Sequence, residues 1–265
     1  MELIILKIGG SVITDKFSKK PGVNFENLKR ISKEIASVYD SRKMSLILIH
    51  GAGSFGHVIV KKTGIDKGIK NKKQLNAFAE TQRLQNKLNC IITKELIKKG
   101  LPAFPFQASS GAVMKRGRLI KMDLSVIKGL LKLNMIPVLY GVPAYDIKQG
   151  CSILSGDQIA PYLAEKLKAK KIIMASDVDG IFAADPKKDK NAKQIKEINR
   201  KNFNEVKKIL GGSASIDVTG GMLGKVLELI RTVKKGIPAQ IIDAIKKDNI
   251  KKAFLGKGVG TIIKW

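Results

Sequence analysis

A chain of 265 residues with 44% hydrophobic side chains is long enough for one large α/β domain or two closely joined lobes. Cys90 and Cys151 are too few for a disulfide framework and sit in no metal-ligand spacing, which points to a reducing cytoplasm. The formal charge of +28 attracts anions at long range. Its lysines are nevertheless dispersed as pairs from Lys19-Lys20 to Lys251-Lys252, and 5% aromatics leave little to stack on bases. A solvated, basic surface is expected rather than a nucleic-acid footprint. No apolar run approaches the roughly 18 residues of a spanning helix, so no membrane partner is expected.

The first strand is predicted over Leu3–Ile8 and runs into Lys7-Ile8-Gly9-Gly10-Ser11. Residues without a Cβ let several N–H donors converge on an anion, and Lys7 adds a point charge beside them. The spacing is neither a Walker A loop nor a G-x-G-x-x-G fingerprint, and the plain alternative is a Gly-Gly turn leaving an edge strand. Phe25, Leu28, Ile31, Ile35 and Val38 recur at three- and four-residue spacing, which predicts an amphipathic helix.

The next strand, Leu46–Ile49, opens into His50-Gly51-Ala52-Gly53-Ser54-Phe55-Gly56-His57, which holds both histidines of the chain. His57 has the chemistry to donate to a phosphate oxygen. His50 has it too but immediately follows the strand, and an isolated loop histidine is more often structural. Two phosphate-sized cradles, here and after the first strand, suggest a donor and an acceptor phosphate, hence a kinase.

A long helix is predicted from about Gln74 to Lys99, with Leu84, Leu88, Ile91 and Leu96 inward and Gly100 beyond its end. Strands follow at Ala103–Phe106 and Ile136–Tyr140. A soft division near Cys151 separates an expected acceptor lobe, 1–150, from a nucleotide lobe, 151–265. In Ser155-Gly156-Asp157-Gln158, at the head of a helix over Asp157–Lys168, Asp157 reads as an N-cap or as a carboxylate spacing two lysines. Sequence spacing alone favours the cap.

The strand Lys171–Ala175 ends in Ser176-Asp177-Val178-Asp179-Gly180, at the edge where α/β sheets bind ligands. Its carboxylates suit ribose hydroxyls or the water shell of Mg²⁺; an Asp-Gly turn is the plain alternative. Asp185–Lys196 reads as an exposed loop. In Asp217-Val218-Thr219-Gly220-Gly221-Met222-Leu223-Gly224-Lys225, a helix over Gly221–Lys235 opens on glycine. Its first N–H groups and dipole favour an anion by about 0.3–1 kcal/mol, within reach of Lys225. Strands at Ala239–Ile242 and Thr261–Lys264 close an alternating α/β pattern. Several of these runs lack period-two alternation, as in strands buried on both faces.

These motifs, in this order, resemble the amino-acid kinase superfamily and, within it, the isopentenyl phosphate kinases. The second histidine closing His50 to His57 is shared mainly with that branch and with fosfomycin kinases. The resemblance implies an open three-layer αβα sandwich with a mostly parallel central sheet, a homodimer, and ATP-dependent phosphorylation of isopentenyl phosphate to isopentenyl diphosphate in an archaeal-type mevalonate route. It assigns Lys7, Gly9, Gly10 and Ser11 to the nucleotide phosphates and Lys16 to the transition state. Ala52 and Gly53 fall at the junction of acceptor and donor, and His57 with Gly156 at the acceptor phosphate. Asp157 positions Lys7 and Lys225, while Asp177, Gly221 and Lys225 hold ATP.

No dedicated metal site is implied, Mg²⁺ arriving with ATP. A phosphate monoester has a second pKa of about 6, so its attacking oxygen needs no general base at neutral pH. Phe78, Ala79, Thr81 and Leu84 are expected near the acceptor's hydrocarbon tail. Relatives usually place Asp after the strand ending at Gly141, where this chain has Val142-Pro143, a departure at the acceptor loop. The alternatives are a kinase of another small alkyl phosphate or of a phosphonate such as fosfomycin, and a basic nucleic-acid-binding protein on this scaffold.

Overall fold

The apolar runs at Leu3–Ile8 and Leu46–Ile49 pair in parallel, with Ile5 opposite Ile47 and Ile8 opposite His50. A parallel pair needs a crossover, and the amphipathic helix between the two runs supplies it. The computed structural model describes residues 1–15, 21–184, 189, 191–212 and 221–265.

The chain begins with β1 (Glu2–Ile8), α1 (Gly10–Ile13), α2 (Phe25–Ala36), β2 (Met44–His50), α3 (His57–Thr63) and α4 (Lys72–Ile97). It continues with β3 (Ala103–Pro105), β4 (Ala112–Lys115), β5 (Arg118–Met122), α5 (Ser125–Lys132), β6 (Ile136–Tyr140), β7 (Val142–Asp146) and β8 (Gly150–Leu154). Next come α6 (Gly156–Leu167), β9 (Lys171–Ser176), β10 (Ile181–Phe182), β11 (Gln194–Ile195), β12 (Glu197–Ile198) and α7 (Phe203–Gly212). The last elements are α8 (Gly221–Val233), β13 (Ala239–Asp243), α9 (Asn249–Phe254) and β14 (Thr261–Ile263).

Among the described residues, eight strands form the central sheet in the order β12-β14-β13-β9-β1-β2-β6-β3. Six run parallel; β14 pairs antiparallel with β13 and takes β12 with it. Alternate residues of the same strand enter different cores. Leu3, Ile5, Ile47 and Ile49 pack with Ile159 and Leu163 of α6 and Val226 and Leu229 of α8. Ile4, Leu6, Leu46 and Leu48 pack with Leu28 and Ile31 of α2 and Leu88 and Ile92 of α4. Both faces are therefore buried, which explains the missing polar alternation, and each such side chain contributes roughly 1.5–3 kcal/mol. The result is the three-layer αβα sandwich expected from the sequence.

Helix ends follow local chemistry. Asn24 accepts from the Asn27 N–H at 3.0 Å to cap α2, and Asn71 accepts from Gln74 at the same distance to cap α4. Gly100, at φ 77°, turns the chain out of α4 while the Leu101 N–H donates to Leu96 O.

A second sheet, ordered β5-β4-β7-β8, lies outside the predicted strands. The β4–β5 turn carries Arg116 and Gly117, both at positive φ, and the Asp146 carboxylate accepts from their N–H groups at 3.1 and 2.9 Å. Val142 and Pro143 lie in β7 opposite Leu154 and Ile153, and β7 meets β4 only at Asp146, so Pro143 interrupts no central ladder. Within the expected Asp185–Lys196 loop, Gln194–Ile195 instead forms β11 against β10. Residues 185–188 and 190 lie outside the described residues.

Candidate active site

Parallel strands deliver their C-terminal ends to one edge of the sheet, and here β1, β2 and β9 bring three loops together. Gly9–Ser11 follow β1, Gly51–Ser54 follow β2, and Ser176–Asp177 end β9. Together with Gly141, Ile153 and Ser155–Asp157 at the head of α6 they line a cleft of about 370 Å³.

The first two loops touch main chain to main chain. A Cβ on Gly10 would lie 2.2 Å from Gly53 N, and one on Gly51 would lie 2.5 Å from Gly10 N. Gly53 sits at φ 51°, where a Cβ would fall 2.0 Å from Thr14 Oγ1. These glycines are required by close approach, and the same approach leaves Gly10 and Ser11 heading a helical turn whose first N–H groups have no acceptor within it.

The opposite wall carries charge. Lys7, on the α6 side of β1, is 7% exposed and places Nζ 2.7 Å from Asp157 Oδ1. Lys225, one turn into α8, donates to Asp157 Oδ2 at 2.7 Å. Both contacts are short, charge-assisted ion pairs that place one carboxylate between two ammonium groups. Burial disfavours the charged carboxylate of Asp157, but Lys7 and Lys225 more than offset it and hold the group well below the usual carboxylate range. Burial likewise lowers Lys7, a shift opposed by Asp157 and assisted by the like charge of Lys225.

Asp157 is not the cap that its spacing favours. Ser155 is the N-cap of α6, accepting from the Gln158 N–H at 3.2 Å, which frees the Asp157 carboxylate to bridge two lysines. Gly156 packs tightly here: a Cβ would sit 3.2 Å from Ile49 Cγ2 and 3.3 Å from Lys7 Cε, so a larger residue would press on the Lys7 stem.

The two histidines separate completely. His57 is exposed, begins α3 and lines the cleft beside Val58. His50 is buried on the other side of the sheet edge, stacked on Tyr140 with centroids 5.3 Å apart, and burial brings its pKa down to about 4.

The cleft therefore gathers Lys7, Gly9, Gly10, Ser11, Ala52 and Gly53 with His57, Gly156, Asp157, Asp177 and Lys225. Gly221 opens α8 one turn before Lys225. Lys16 and Asp217–Gly220 lie outside the described residues. Phe78, Ala79, Thr81 and Leu84 do not line the cleft; Phe78 packs with Ile65 and Ala77, and the Thr81 hydroxyl donates to Ala77 O. The apolar lining comes instead from Val58 and Ile153, the latter on a strand the sequence did not reveal.

Residues 2–243 match the amino acid kinase family. The chain is 38% identical to isopentenyl phosphate kinase of Methanothermobacter thermautotrophicus, covering 97% of both chains. It is 40% identical to the enzyme of the same name from Methanocaldococcus jannaschii, covering 98% of both. The chain belongs to the isopentenyl phosphate kinases. A crystal structure of an isopentenyl phosphate kinase superposes on it with a TM-score of 0.85 at 36% identity, covering 99% of this chain and 100% of the other. This kinase is accordingly a phosphotransferase, and the open αβα sandwich is the fold of its family. Among the described residues, no helix is long and apolar enough to cross a membrane.

Proposed function

We propose that this kinase transfers the γ-phosphoryl group of ATP to isopentenyl phosphate, giving isopentenyl diphosphate for isoprenoid biosynthesis. The observation that carries this reading is the convergence of Lys7, Lys225, His57 and two glycine turns on one cleft. An acceptor phosphate and a triphosphate repel one another, so the chief task is to hold both in line at low electrostatic cost.

In this reading an oxygen of the acceptor phosphate, already deprotonated near pH 7, attacks the γ-phosphorus. The bond to the β,γ-bridging oxygen breaks, and its electrons leave with ADP. Lys7 and Lys225, kept apart and charged by Asp157, offset negative charge on the transferring and leaving oxygens. The N–H groups of Gly10, Ser11, Ala52 and Gly53 serve the equatorial oxygens, and His57 donates to the acceptor phosphate. Lys16 adds a cation from the segment after α1. Asp177 and Gly221 belong to the nucleotide side, and Val58 with Ile153 meets the start of the hydrocarbon tail.

Among the described residues no cluster of three acidic, histidine or cysteine side chains could cage a metal ion. The donor set suits Mg²⁺ that would arrive with the nucleotide, where Asp177 would help to organise its bound water. Residues 1–150 then act as the acceptor lobe and 151–265 as the nucleotide lobe, in a cytoplasmic homodimer whose mass light scattering would measure. The deciding assay supplies ATP, Mg²⁺ and isopentenyl phosphate beside other alkyl phosphates and fosfomycin, with ³¹P NMR of the products. Formation of isopentenyl diphosphate at the highest kcat/KM of the panel is expected; its absence rejects the assignment.

A further inference from the structure

Behind the Gly51–Gly53 turn lies the middle of α4. Where a helix facing this core would carry apolar side chains, it carries buried Gln85 and Asn89, followed by Ile92 and Leu96 on the same stripe. Asn89 Nδ2 lies 2.9 Å from Val138 O and 3.1 Å from His50 Nε2. A carbonyl oxygen only accepts, so the Asn89 atom facing it is the amide nitrogen, and His50 Nε2 must accept the second N–H. The neutral ring then carries its proton on Nδ1, which lies 3.0 Å from Gly51 O and donates to it. One residue further, Gln85 Nε2 donates to Ala52 O at 3.4 Å. The Oε1 of Gln85 has no hydrogen-bond partner among the described residues, a cost that an apolar residue would not carry there.

Two successive carbonyls of the turn are thus drawn toward α4. Across a trans peptide the C=O and N–H point in opposite directions, and the chain contains no cis peptide among its described residues. Drawing Gly51 O and Ala52 O to one side turns the N–H groups of Ala52 and Gly53 to the other, where both residues line the cleft.

We propose that His50, Asn89 and Gln85 are positioning residues that fix the Gly51–Gly53 turn with its Ala52 and Gly53 N–H donors aimed at the transferring phosphoryl group. None of the three lines the cleft. The inference rests on phosphoryl transfer as the reaction but not on the identity of the acceptor.

Two measurements test it. The first is independent of activity: the ¹⁵N shifts of His50 in the wild-type protein at pH 7 report which ring nitrogen bears the proton. A proton on Nδ1 is expected; a proton on Nε2 overturns the proposal. The second compares His50→Phe, Asn89→Leu and Gln85→Met, each assayed well below its own melting temperature. Because misaimed donors act on the transition state, kcat should fall about 10- to 100-fold in the first two variants and less in Gln85→Met, with KM for ATP within twofold. His50→Gln, which restores an N–H donor, should recover part of the loss relative to His50→Phe.

Thr93→Val is the control, since it removes a buried hydroxyl of α4 that bonds only within the helix, to Asn89 O and Cys90 O. It should keep kcat whatever it does to melting. Retention of wild-type kcat by His50→Phe and Asn89→Leu, or losses that simply follow melting temperature through Thr93→Val, would show packing alone and sink the assignment. Should those two variants fail to fold, Gln85→Met carries the kinetic arm: a lowered kcat at constant KM supports the proposal, and an unchanged one overturns it. A wild-type protein that phosphorylates no acceptor in the panel defeats the reaction assignment instead, while the histidine shifts still decide the geometry of the turn.

Discussion

The two walls of the cleft are made of different materials. One is main chain: the turns after β1 and β2 lean on one another so closely that Gly10, Gly51 and Gly53 leave no space for a Cβ. The other is side chain: Lys7, Asp157 and Lys225 stand 2.7 Å apart in an alternating line of charge. The main-chain wall depends on shape, and neither salt nor protonation alters its donors directly. The charged wall depends on balance, so removing one member changes the state of the others.

The largest effect is expected on the charged wall. Asp157→Asn leaves two lysines facing each other with Lys7 still buried, and breaking such a pair costs about 3–5 kcal/mol, read from denaturant unfolding at pH 7. Its pH dependence sharpens the contrast. Lys7 already has a lowered pKa, with burial as the main cause and Asp157 opposing it, and the variant loses that opposition. The unfolded chain then binds more protons than the folded one below the ordinary lysine value. The stability deficit should therefore shrink as pH rises from 7 toward 10. A deficit independent of pH would place Lys7 outside the balance.

The support behind the main-chain wall gives the next largest effect. His50 has a folded pKa of about 4 against an ordinary 6.5, so its contribution is complete above pH 6.5 and is lost as pH falls toward 4. The shift amounts to about 3 kcal/mol, and His50→Phe should remove that part of the acid sensitivity in a pH series of unfolding curves.

Gly10→Ala must push Gly53 aside, and kcat should fall about 100-fold, the usual cost of losing an oxyanion donor, in steady-state assays across a salt series. If the two walls differ as described, that loss will be the same at low and high salt, whereas Lys225→Met will weaken ATP binding most at low salt. Gly64→Ala gives the smallest effect. Gly64 sits at φ 66° with nothing within 4 Å of a Cβ, so about 1 kcal/mol of backbone strain is expected in thermal melts and no change in kcat.

The charged wall was the less legible of the two in sequence. Apolar runs located every parallel strand of the central sheet, and glycines at the ends of β1 and β2 marked both turns. Asp157 read as a cap because its partners come from β1 and α8, and spacing along the chain says nothing about side chains that meet across a sheet edge. The β4–β5 hairpin was invisible for a related reason. Its Arg116-Gly117 turn lacks the usual Asn-Gly signal and is held by Asp146, about thirty residues away. Gln85 and Asn89 did leave a signal, as polar residues on an otherwise apolar helical stripe, but that pattern needs a partner before it has a meaning.

The alternation of β1 has a consequence for assembly of the sheet. Lys7 faces α6, while Ile8 and its partner His50 face α4. A slip of β1 by one residue against β2 would carry the ammonium group into the aliphatic layer of α2 and α4, away from Asp157. The buried cation thereby also disfavours misaligned pairings of the sheet, and a neutral residue at this position would forfeit that selectivity along with the ion pair to Asp157.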